Sequence, residues 1–72
     1  MKLKGFLAYS IKKLRELREH HRAVCRDKTK DWRDEFDAWT PYYEVLCFVA
    51  DYYGIDRWRY LERLVLDPEV EV

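Results

Sequence analysis

Seventy-two residues make one small domain, and a chain of this size closes its core only marginally without dense packing or association. Its charged residues, 39% of the chain, cancel to a formal net charge of zero, so this is not a uniformly basic binder of nucleic acid. No apolar run approaches the length of a membrane-spanning helix, and the brief apolar patch Gly5 to Tyr9 lacks the form of a signal peptide, so a cytoplasmic protein is expected.

Asn and Gln are absent, Ser occurs once and Thr twice. Loss of thermolabile amides beside abundant Lys, Arg and Glu is the compositional habit of heat-adapted proteins. The charge is also divided. Residues 1–30 carry ten basic and three acidic side chains, and residues 31–72 carry four Arg and eleven acids. Such a split marks either an interaction surface or two halves that face each other.

In chain order, Leu3, Leu7, Ile11, Leu14, Leu17, His21 and Val24 recur at steps of three and four. They form one helical stripe, with Cys25 at its edge. The pattern predicts a helix from about residue 3 to about residue 27, roughly 35–40 Å long. Thr29 or Asp31 is placed to cap a short second helix, with Asp34 and Glu35 in its first turn and an aromatic face of Trp32, Phe36 and Trp39. Thr40 followed by Pro41 reads as a fresh helix start, a hydroxyl cap before a proline at the first helical position. The third helix then runs from Pro41 to Tyr53, with Gly54 as its stop. A fourth begins at Asp56, where Ile55 is placed to pack on Tyr60 as a hydrophobic staple. Trp58, Leu61 and Val65 line one face of this last helix. The tail from Asp67 alternates acid and valine, the pattern of a frayed end or of a docked extended segment.

The expected fold is therefore all-α, a small helical bundle in which one long N-terminal helix is packed by three shorter helices. It is a single domain over 1–72: a long basic helix over 1–30, acidic aromatic-rich helices over 31–66, and an acidic tail over 67–72.

Two i, i+4 pairs have metal-ligand chemistry, His21 with Cys25 and Cys47 with Asp51. The first lies on the apolar stripe and the second on a polar strip, so packing apolar on apolar turns them apart. No paired-cysteine spacing supports them, and no metal or other cofactor is expected. The same facing opposes a Cys25–Cys47 disulfide. Buried-hydrophobe behaviour is the simpler role for a cysteine on a stripe. Ser10, the lone serine, has no Gly-rich elbow around it, and the two glycines form no phosphate loop. No enzyme is expected.

Two surfaces remain. Leu7, Ile11, Leu14 and Leu17 form a seam that three short helices are too short to cover, which points to a homodimer. Arg15, Arg18, Arg22 and Arg26 form a basic ridge beside it, suited to acids of this or another protein, or to phosphates. Trp32 and Trp39 are the aromatic anchors for a protein partner if the second helix is a binding face, and plain core is the simpler role for both. The expected function is a small non-enzymatic protein-interaction module that self-associates through the long helix and regulates or inhibits another protein. Nucleic-acid binding by the ridge is the rival.

Overall fold

The computed structural model describes residues 2–54 and 57–72, and the secondary structure there is entirely helical apart from one isolated backbone bridge. Three helices follow one another: α1 over Gly5–Arg26, α2 over Trp32–Tyr53 and α3 over Arg57–Leu66. The all-α class is as expected. The element count is not, because the two helices anticipated on either side of Thr40 and Pro41 are one.

The start of α2 is built by Asp31. Its carboxylate accepts from the amides of Arg33 and Asp34 at 3.0 and 3.1 Å, while the Asp34 carboxylate accepts from the Asp31 amide at 3.1 Å. This reciprocal capping box satisfies three amides at the helix end. With a strong start nine residues upstream, Thr40 has no capping task. Its hydroxyl instead donates to the Phe36 carbonyl at 2.9 Å, one turn back in the same helix. Pro41 deprives the Asp37 carbonyl of its helical donor, a cost softened because Asp37 is exposed to water. The packing outweighs that cost. Ala38, Tyr42, Leu46 and Val49 are all buried and lie on one face that runs straight through the proline.

The consequence for α1 is direct. α1 and α2 are each 22 residues long and are joined by a short link in which the Asp27 carboxylate takes both the amide and the hydroxyl of Thr29. Phe6 near the start of α1 meets Tyr52 near the end of α2, ring centroids 4.8 Å apart, so the pair is antiparallel. A partner of equal length covers the stripe that three shorter helices were expected to leave open. Ile11 and Leu14 have 0% of their surface exposed, and Leu7 and Leu17 pack partly buried against the same core. Ile11 and Leu14 of the seam assigned to self-association thus belong to the intrachain core, and Leu7 and Leu17 keep only part of their surface outside it.

α3 completes the core with Leu61, Leu64 and Val65. The capping role expected of Asp56 and the staple expected of Ile55 fall outside the described residues. Beyond α3 the tail docks. The Leu3 amide donates to the Glu71 carbonyl at 2.8 Å in a parallel bridge, and Val70 is buried while Val72 stays exposed. The chain leaves this bridge and enters α1 through Gly5, whose φ of +65° is strained for any residue with a Cβ.

Arg15 holds the tail in place. Its guanidinium donates to four backbone carbonyls: Leu64 at 2.8 Å, Val65 at 3.1 Å, Asp67 at 3.0 Å and Val70 at 2.8 Å. These include carbonyls of the last turn of α3, which lack helical donors and carry the negative end of the helix dipole. A side chain from α1 therefore caps α3 and fastens the segment after it.

Candidate functional site

With one face of α2 committed to the core, a second aromatic face is left outside. Read as one helix, Trp32, Phe36, Trp39, Tyr43 and Cys47 follow steps of four, three, four and four. Trp32 is 70% exposed, Phe36 58% and Trp39 37%. Three of the rings, Phe36, Trp39 and Tyr43, touch in sequence. Phe36 and Trp39 have centroids 6.1 Å apart, and Trp39 and Tyr43 stack at 4.7 Å with planes 20° apart. Such contacts make a row of rings on α2, geometry in which aromatic pairs attract.

Past Tyr43 the row becomes one wall of a groove between α2 and α3. The groove encloses about 470 Å³, within the range of small-ligand and side-chain pockets. Tyr42, Leu46 and Ala50 form its buried floor, Trp39, Tyr43, Cys47 and Asp51 come from α2, and Trp58 and Glu62 come from α3. Burial raises the Tyr42 phenol above its ordinary range, the Glu62 carboxylate adds to that rise, and Arg18 opposes it. Hydrogen bonding to the Cys47 thiol, then its charge when ionised, holds the Tyr43 phenol up as well. Both phenols therefore stay neutral at neutral pH.

The sequence-predicted residues separate cleanly. Trp39 lies in the groove, and Trp32 begins the exposed aromatic face outside it, its ring covered by the Arg33 guanidinium at 5.4 Å. Arg15 leaves the basic ridge for the carbonyls of α3 and the tail. Arg26 pairs with Glu19 at 3.0 Å, which holds the Glu19 carboxyl below its usual range, chiefly through that hydrogen bond. Both partners are exposed, so the pair contributes little to stability. Arg22 is exposed and Arg18 half-buried.

His21 and Cys25 meet, Nε2 to Sγ 3.4 Å, while Cys47 and Asp51 stand in the groove wall. Among the described residues no three His, Cys, Asp or Glu side chains gather in a metal-holding group, and Cys25 and Cys47 are both free thiols. The two i, i+4 pairs do not combine into one site.

Tyr43, Trp58 and Glu62 were not anticipated as site residues. The signal for Tyr43 was present as the stripe through Trp32, Phe36 and Trp39, but a helix break at Pro41 cut it. No protein-family model, curated protein or solved structure matches this chain.

Proposed function

We propose that the chain is a non-enzymatic protein-interaction module that regulates another protein by binding it along the exposed aromatic face of α2 and in the groove between α2 and α3. One observation carries this reading: a row of solvent-facing rings, Trp39 and Tyr43 stacked among them, leads into an open apolar groove although the core beneath is already closed. Exposed apolar patches of this kind mark interaction surfaces, and Trp and Tyr are the residues that anchor them. Placement in the cytoplasm accords with two unpaired thiols. No helix among the described residues is long and apolar enough to cross a membrane.

The rival reading, phosphate binding by the α1 ridge, has less support. Of its four arginines, Arg15 spends its guanidinium on backbone carbonyls and Arg26 faces Glu19. Arg18 and Arg22 are the ridge arginines left without such a partner among the described residues, a small footprint for a nucleic-acid backbone.

A benzophenone amino acid in place of Tyr43 tests the interaction reading. On illumination in an extract of the source cells, it is expected to give one discrete protein adduct. The same group in place of Tyr9, exposed on α1, is expected to give none. Excess unlabelled wild-type protein should suppress the adduct, and Trp39→Ala protein should need about tenfold more to do so, the effect of losing one anchor ring. Equal adducts from both positions, or equal competition by Trp39→Ala, would refute the assignment.

A further inference from the structure

The groove has a charge as well as a shape. Asp51 and Glu62 line it, and among the described residues no Lys or Arg does. The last turn of α2, which carries Asp51, holds no basic residue to offset the negative end of the helix dipole. Lining the groove with these carboxylates are Trp39, Tyr43 and Trp58, whose ring faces are themselves sites of negative potential. The protein already uses its indoles this way on its own surface. Arg59 lies over the Trp58 ring at 5.6 Å and Arg33 over Trp32 at 5.4 Å.

We propose that this groove recognises its partner protein by a cationic side chain, an arginine or lysine presented on an amphipathic segment. The rings of Trp39 and Tyr43 receive the alkyl stem and the flat or rounded cation, Trp58, which already carries Arg59 over its ring, closes the α3 side, and Asp51 and Glu62 balance the charge. This rests on the reading of the groove as a protein-docking site and adds the chemistry of the partner.

A second copy of the chain is a poorer occupant. Two grooves facing each other across a twofold axis bring Asp51 and Glu62 against their own copies. The basic flank of α1 on another copy is built on the stripe whose Ile11 and Leu14 are already buried within the chain, so it has little free apolar surface to lay in the groove beside its cations. A different protein with a basic amphipathic segment satisfies both the charge and the geometry.

Three fluorescein-labelled helical peptides test this, sharing one leucine face and differing only in carrying Arg, Gln or Glu at the remaining positions. Anisotropy titration is expected to show saturable binding of the Arg peptide, about tenfold tighter than the Gln peptide, with the Glu peptide weakest. Asp51→Asn combined with Glu62→Gln should bring the Arg peptide down to the level of the Gln peptide. Glu16→Gln combined with Glu71→Gln, the same charge change at exposed positions on α1 and the tail, should leave the Arg preference intact. Equal affinity for the Arg and Gln peptides, an Arg preference that survives the groove variant, or no saturable binding of any peptide would overturn the proposal. A Gln peptide that still binds and is lost with Trp39→Ala would end the cation claim while leaving the groove a docking site. The cross-linking result at position 43 decides that broader role separately. Scattering that grows with protein concentration, and is abolished by the groove variant, would make the occupant the chain's own α1 and overturn the choice of partner.

Discussion

Arg15→Met is expected to destabilise the chain by about 3 kcal/mol, because hydrogen bonds from a charged group contribute roughly 1.5–3 kcal/mol each and water can replace only the more exposed ones. Four carbonyls lose the Arg15 donor at once, at Leu64, Val65, Asp67 and Val70, and of these Asp67 keeps the Val70 amide. Leu64, Val65 and Val70 belong to buried residues, while Asp67 is exposed, so part of the loss is uncompensated. The methionine keeps most of the stem's packing, which isolates the guanidinium. Urea denaturation reads the loss directly, and amide exchange localises it. The Leu3 amide, bonded to the Glu71 carbonyl, should lose protection before the amides in the middle of α1. Arg15→Lys should recover only part of the stability, since a single ammonium lacks the planar fork that reaches several carbonyls. A methionine variant within about 0.5 kcal/mol of wild type, the range of ordinary surface substitutions, would show that the clasp does not hold the fold.

The second large effect is at Leu14. Truncation of this fully buried side chain to alanine is expected to destabilise by about 3–4 kcal/mol, the middle of the range for leucines removed from closed cores. That is a large fraction of the total stability of a small domain. The form of the failure discriminates between two roles. If Leu14 belonged to a seam between copies, Leu14→Ala would give a folded monomer. As a member of the core shared by α1, α2 and α3, it should instead give a chain with reduced helical signal and a broadened, lowered urea transition. Circular dichroism with urea titration separates these outcomes.

Local chemistry made some of this fold readable in advance. The stripe from Leu3 to Val24 placed α1 within two residues of its ends. Asp31, Asp34 and Glu35 marked the start of α2, and Gly54 its end, because capping and dipole complementarity act within one turn. Thr40–Pro41 misled for the same local reason. A hydroxyl followed by proline has the same appearance at a helix start as in mid-helix, and only the burial of Ala38 and Tyr42 on both sides distinguishes them. From that one break followed the surplus helix, the uncovered seam and the interrupted aromatic row. Arg15 was illegible for another reason. Nothing near it in sequence sets it apart from Arg18 and Arg22, since its partners lie 49 to 55 residues away. The groove shares that property, because Trp58 and Glu62 join Trp39 and Tyr43 only through the packing of α3 on α2. The division of charge between the halves has a partial account. The ion pair between Arg26 and Glu19 lies within α1, and the acids of the second half include the two that line the groove.

The proposal that the aromatic groove serves a different protein and not a second copy is tested most directly by the chain's mass in solution at low micromolar concentration. Sedimentation equilibrium should return 8.9 kDa, a single chain, with an unfolding midpoint that does not move with protein concentration. Twice that mass with a midpoint that rises on concentration would contradict it, since a second copy would then hold the surface assigned to the partner.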